Sequence, residues 1–163
     1  MPGAELSNFL GEKFPGVVSN VTIPRERRVF AETTADRLVE VTRALKEWGM
    51  VNLGTITGLD SGEKFEIIYH FYDAQGLVFN LKVFIPRSDP RVSTVTEVFQ
   101  GSFLYERELM DLFGIEVIGT PPGPRYPLPD DWPAGQYPLR KDWSGLPPQA
   151  EKKPYPSEGE NRR

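Results

Sequence analysis

Proline is spread so unevenly along this chain that it dictates two kinds of structure. Five of the 16 prolines lie in residues 1–118 and eleven in the 45 residues that follow. Proline has no amide proton and a fixed φ, so a stretch this rich in it forms neither a helix interior nor a central strand. The sequence therefore predicts one α+β domain over residues 1–118 and an extended Pro-rich C-terminal arm over 119–163. Disordered tails are poor in aromatic residues, whereas this arm carries Tyr126, Trp132, Tyr137, Trp143 and Tyr155. Rings spaced along a proline-stiffened chain suit a strap that inserts anchors into a partner at low entropic cost. That reading is favoured for residues 120–143 over a tail folded back on its own domain; disorder in isolation is expected for 147–163.

A length of 163 residues suits a single domain, and 39% hydrophobic with 26% charged residues is ordinary globular composition. No apolar run is long enough for a transmembrane helix, and Met1 to Phe14, with Glu5 and Glu12, has no secretory-signal pattern. There is no cysteine and a single histidine, His70. Cysteine-ligated clusters, disulfides, thiol catalysis and multi-histidine metal sites are thereby excluded within this chain. No metal and no cofactor is expected in it. The net charge of −4 gives no basic footprint for nucleic acid.

Ala4 to Lys13 is predicted as a short helix and Arg28 to Glu32 as a strand. Thr34 to Trp48 reads as a helix with a threonine cap, an apolar stripe of Leu38, Val41, Leu45 and Trp48, and Gly49 at its end. Trp48 is read as core. Three strands follow at 51–57, 64–72 and 77–85, the last placing Leu77, Phe79, Leu81, Val83 and Ile85 on one face. The expected sheet is antiparallel, with the 34–48 helix and helices over 93–113 packed on it. His70, within a strand, is read as packed or surface-lying rather than catalytic.

The densest polar group is Glu106-Arg107-Glu108 with Asp111 one turn on. Glu108 and Asp111 share a helix face, the geometry of a carboxylate pair for general acid catalysis. Arg107 lies four residues from Asp111, however, and an ion-pair or interface network is the favoured reading. No phosphate loop, Walker motif or serine elbow occurs. From the residues alone the chain reads as a noncatalytic binding or assembly subunit, with no catalytic residue assigned. An independent carboxylate enzyme and a Pro-rich adaptor are the alternatives.

The segment from Tyr105 through Glu106-Arg107-Glu108 to Asp111-Leu112-Phe113-Gly114-Ile115 resembles the signature of the thirty-kilodalton subunit of respiratory complex I, the NADH–quinone oxidoreductase. Leu128-Pro129-Asp130-Asp131-Trp132 and Tyr137-Pro138-Leu139-Arg140-Lys141-Asp142 resemble two further blocks in the same order, and Arg87 to Thr96 resembles the loop before the signature. The resemblance implies a small α+β protein without cofactor, packed on a hydrogenase-large-subunit-like catalytic subunit and neighbouring iron–sulfur subunits. It implies a peripheral place on the cytoplasmic side of the cell membrane, reaching the membrane only through the complex. The same family serves membrane-bound, energy-converting nickel–iron hydrogenases. Leu104 stands where quinone-reducing members usually have tryptophan, and Thr120-Pro121-Pro122-Gly123-Pro124-Arg125 replaces their histidine-containing segment. Both departures resemble the hydrogenase branch, with the quinone-reductase branch as the alternative. The expected partner interface comprises Glu106, Arg107, Glu108, Asp111, Trp132, Tyr137, Arg140, Lys141 and Trp143, with 120–143 as its main part.

Overall fold

The computed structural model describes residues 2–146. The expectation for 147–163, Tyr155 included, lies outside the described residues. In chain order the elements are helix α1 (Pro2–Lys13), strands β1 (Ser19–Arg25) and β2 (Arg28–Thr33), helix α2 (Leu38–Trp48), strands β3 (Met50–Asp60), β4 (Lys64–Asp73), β5 (Val78–Pro86) and β6 (Arg91–Ser93), helix α3 (Ser102–Phe113) and strand β7 (Glu116–Ile118). The fold is α+β. Five strands form one sheet in the order β1-β2-β5-β4-β3, and β6 pairs with β7 in a second, two-stranded one.

The alternation seen in the sequence explains the inner face of the sheet. Leu77, Phe79, Leu81, Val83 and Ile85 are buried, as are Phe65, Ile67, Tyr69 and Phe71 on β4. Leu6 and Leu10 of α1, Leu38, Val41 and Leu45 of α2, and Leu109 and Phe113 of α3 join them in one cluster. Helix α3 comes close to β3 at Gly58, where a methyl group would stand 2.7 Å from Phe113 and 2.8 Å from Leu109. Trp48 is half-buried against the core, its ring tilted 42° to that of Phe9 at 6.4 Å.

Four details differ from the sequence reading. The sheet is mixed, because β2 pairs with β5 in parallel, Val29 beside Phe79 and Ala31 beside Leu81. The chain leaves β2 through α2, so β5 returns in the same direction as β2. Helix α2 starts at Leu38 rather than Thr34: Thr34 to Arg37 form a turn, closed by the Arg37 amide on the Thr34 carbonyl, and no side chain caps the helix. Strand β3 continues through Gly58 and Leu59 to Asp60, pairing with Phe65 to Ile67. Residues 93–99 are not helical. Pairing with β7 holds β6 extended, and a turn follows in which the amides of Val98 and Phe99 donate to the Val95 carbonyl.

The outer face of the sheet is half-exposed and carries His70. The Asn80 amide nitrogen donates to the Val29 carbonyl at 3.0 Å, which leaves its oxygen as an acceptor. His70 Nδ1 therefore carries the proton on the 2.7 Å contact to that oxygen. Nε2 contacts the Thr57 hydroxyl at 3.0 Å. His70 thus sits packed in a strand-to-strand hydrogen-bond chain.

Candidate functional site: helix α3 and the arm it holds

Helix α3 carries the charged signature, and its ends are fixed by glycine. Gly101 occupies the N-terminal cap position, and Gly114 ends the helix with φ 67°, in the left-handed region. The amides of Gly114 and Ile115 return to the carbonyls of Met110 and Leu109, satisfying part of the otherwise unpaired last turn. A side chain at Gly114 would lie 2.4 Å from the Tyr137 ring. The helix therefore stops where the arm crosses it.

Glu106 points inward and is 1% exposed. Its carboxylate accepts from the Thr94 hydroxyl at 2.6 Å, the Val95 amide at 2.8 Å and the Ser102 hydroxyl at 3.1 Å. Those bonds pin the turn after β6 to the start of α3, in place of the short helix read from the sequence. A buried carboxyl group is tolerated only when donors surround it in this way. Burial, with the Glu106 charge nearby as a lesser cause, pushes the Tyr69 phenol far above its ordinary range.

Arg107 is likewise buried, at 7% exposure, and grips the arm rather than a carboxylate. Nη1 donates to the carbonyls of Gly123 and Pro124, at 3.0 and 2.6 Å, and Nη2 to that of Pro121 at 2.8 Å. Its guanidinium lies 4.5 Å from the Phe103 ring. Prolines supply carbonyls without competing amide protons, which suits a rigid fork of donors. The expected Arg107–Asp111 pair does not form. Asp111 instead accepts from Arg125 at 3.1 Å and from the Leu128 amide at 3.3 Å, and Arg125 reaches on to the Trp132 carbonyl.

A second anchorage lies further along. Arg140 donates to the carbonyls of Phe113 and Gly114 and stacks on Tyr137 and Phe65, 4.4 and 5.3 Å from their ring centres. The Leu139 amide donates to the Leu112 carbonyl at 3.1 Å. Asp60, at the end of β3, accepts from the Gly62 amide, the Lys141 amide and Arg87 Nη1 at 2.8, 2.8 and 2.6 Å. Arg87 also pairs with Asp142. Burial raises the Asp60 carboxyl, but the hydrogen bond from Arg87, then the amides of Lys141 and Gly62, outweigh it and hold the group down at about 2. The Asp142 carboxyl is lowered by its hydrogen bond to Arg87.

Trp132 and Trp143 meet at 6.3 Å, and both indole nitrogens donate to Gln136, Trp132 to its carbonyl and Trp143 to its side chain. The sequence reading favoured a strap bound to a partner. Here residues 120–143 lie on the chain's own body, and Glu106, Arg107, Asp111 and Arg140 spend their polar groups holding that arrangement. Glu108 is half-buried, and its carboxylate has no hydrogen bond or ion pair to any other described residue. The Lys141 side chain is exposed, and Trp132, Tyr137 and Trp143 are half-buried. Asp60, Arg87, Arg125 and Gln136 escaped the sequence reading. Apart from the Asp60–Gly62 and Gln136–Trp132 contacts, their partners are 7–81 residues away, and the only local sign was the Asp60-Ser61-Gly62 turn. Among the described residues no group of three or more His, Asp or Glu is placed to hold a metal ion, and no helix is long and apolar enough to cross a membrane.

Residues 31–149 match the model of the respiratory-chain NADH dehydrogenase 30 Kd subunit family. The F(420)H(2) dehydrogenase of Methanosarcina mazei has a subunit 34% identical to this chain, over 90% of this chain and 95% of that protein. The membrane-bound hydrogenase subunit beta of Pyrococcus furiosus is 31% identical, over 90% of each chain. An NADH-quinone oxidoreductase subunit of Roseiflexus castenholzii is 34% identical over 66% of this chain and 64% of its own. A chain of the membrane-bound sulfane sulfur reductase, an archaeal respiratory membrane complex, superposes with a TM-score of 0.80 at 28% identity, covering 90% of this chain and 88% of that one. With the signature helix, the blocks of the arm and the family match in agreement, this chain belongs to the 30 Kd subunit family of the respiratory-chain NADH dehydrogenase.

Proposed function

We propose that this chain is a noncatalytic structural subunit of a complex-I-like membrane oxidoreductase. In this role it braces a catalytic subunit related to the hydrogenase large subunit, and its neighbouring iron–sulfur subunits, from the cytoplasmic side. The observation that carries the reading is where the signature charges go. Glu106, Arg107 and Asp111, three of the four charged groups of the signature, are consumed in bonds to the 94–102 turn and the arm, which leaves Glu108 without its Asp111 partner for acid catalysis. A body and arm locked together before assembly lose little freedom on docking, which is the property a spacer between catalytic parts needs.

The membrane-bound hydrogenase branch is favoured within this reading. The hydrogenase subunit beta matches over 90% of each chain, whereas the match to the Roseiflexus NADH-quinone protein takes in 66% of this chain. Leu104 and the Thr120–Arg125 segment point the same way. The alternative is the same bracing role in an NADH or other donor:quinone oxidoreductase. The near end-to-end match to the F(420)H(2) dehydrogenase protein is the observation that favours a different donor.

The test is purification of the intact complex through a tag on this chain, with nickel and activity measured on the product. A nickel-bearing large subunit and hydrogen turnover are expected, with no turnover from the chain alone. A nickel-free complex that reduces quinone selects the alternative. Recovery of the tagged chain free of any oxidoreductase subunit defeats the proposal.

A further inference from the structure

Among the charges of the α3 signature, Glu108 is the one that no described residue answers. It is half-buried, and no described residue bonds to it. The nearest cation along the helix, Arg107, is committed to three carbonyls of the arm. Arg125 is committed to Asp111 and the Trp132 carbonyl. A half-buried carboxylate without a cation or amide donor is an unfavourable arrangement, and leucines stand one helical turn to either side of it. Leu104 and Leu112 lie four residues to either side of Glu108, on the same stripe of the helix. Leu104 is 47% exposed, and Leu139 of the arm, held to the Leu112 carbonyl, is 52% exposed. The arm covers the Phe103–Arg107–Asp111 flank and meets the next stripe at Leu112, through Leu139, leaving Leu104 exposed and Glu108 half-exposed beyond it.

We infer that this stripe is a docking surface for a neighbouring subunit that presents an arginine ringed by apolar side chains, the guanidinium pairing with Glu108 while its collar packs on Leu104 and Leu139. Charge complementarity selects the occupant. Arginine is more weakly hydrated than lysine and meets a carboxylate through two parallel hydrogen bonds, so it suits a carboxylate set among leucines. Both partners gain on assembly, because no cation among the described residues pairs with Glu108. The inference rests on the proposed role as a subunit of a larger complex and specifies where one contact of that complex lies.

The experiment uses the full chain, co-expressed with the complex and recovered through a tag, alongside thermal unfolding of the free chain. E108R should lower recovery of the contacting subunit at least about 10-fold, with E108Q losing less. Both free chains should melt within about 2 °C of the wild type, because Glu108 has no partner to lose among the described residues. E12R, on an exposed residue of α1, should assemble normally. A photoreactive phenylalanine analogue in place of Leu104 should crosslink to one subunit, and an arginine-to-glutamate change at that site should restore assembly of E108R. Assembly of E108R at the wild-type level overturns the inference, as does a fall in the melting temperature that parallels the loss of assembly. A crosslinked surface without arginine overturns the choice of occupant. If the wild-type chain recovers no other subunit, the proposed function fails instead, and that outcome is distinct from these.

Discussion

The amide of Lys141 donates a 2.8 Å hydrogen bond to the carboxylate of Asp60, joining two residues 81 positions apart. Arg87 bonds to the same Asp60 oxygen and, through its other nitrogen, to Asp142. The end of β3, the loop after β5 and the arm are thereby clasped at one point.

Arg87→Ala should be the most costly single change at this clasp. It leaves the Asp60 carboxylate without its cation, a larger loss than that of a neutral hydrogen bond. Asp60→Asn keeps the shape and one acceptor, and should cost about 1–3 kcal/mol. Urea midpoints of the two variants measure the difference. Equal values would mean that Asp60 draws its stability from the amides rather than from Arg87.

Acid should open the same clasp. The folded Asp60 carboxyl is held at about 2, below its ordinary 3.8, so the unfolded chain binds the proton more readily. Its contribution is complete above about pH 4 and is lost as the pH falls from there through about 2. The shift corresponds to about 2 kcal/mol. Asp60→Asn should flatten that part of the stability–pH curve, measured by denaturant titration at each pH.

Gly114→Ala should loosen the arm where it crosses α3. The backbone there has φ 67°, and the new methyl would stand 2.4 Å from Tyr137 and 2.7 Å from Arg140. A cost of about 1–3 kcal/mol is expected. Amide exchange should quicken at Leu139 and Arg140 before it quickens in β4 and β5, and uniform exchange would place the damage in the body instead.

Glu106→Ala should strand two hydroxyls and the Val95 amide. Losing the acceptor of several buried donors costs about 1–3 kcal/mol for each donor left unsatisfied, so the variant should melt well below the wild type. Glu106→Gln, which retains one acceptor oxygen, should recover part of that loss. Both are read by calorimetry.

Truncation after Ile118 should destabilise the body, contrary to what the proline distribution alone suggests. It removes all three carbonyl partners of Arg107 and both partners of Asp111, and exposes the Phe65 ring that Arg140 covers. A fall of at least about 10 °C in melting temperature is expected. An unchanged melting curve would show the arm to be an accessory.

Local periodicity carried most of the fold into view. Strands β4 and β5 were legible because every second residue from Phe65 to Phe71 and from Leu77 to Ile85 is apolar and buried. Helix α3 was legible from its length and from Gly114. The parallel β2–β5 pairing was not, because nothing in Val29 or Ala31 names Phe79 and Leu81 as neighbours. Residues 93–99 read as a helix because their alternative depends on Glu106, more than ten residues away. At the site, the charged cluster was visible but its division of labour was not. Helical phase places Glu106 inward with Leu109 and Phe113, whereas the burial of Arg107 and Asp111 depends on the arm.

The parallel seam between β2 and β5 also orders events as the chain emerges from the ribosome. Strands β3, β4 and β5 form a meander of neighbours and close as they appear, as do β1 and β2. But one side of β2 has nothing to bond until β5, ending at Pro86, has been made. The N-terminal hairpin must therefore wait, its inner residues Val29 and Ala31 sheltered by little more than α1. Contacts between distant segments are slow to form because the intervening loop must first be closed. Until that pairing is made, one edge of β2 stays unsatisfied, the kind of surface that invites misassembly during synthesis.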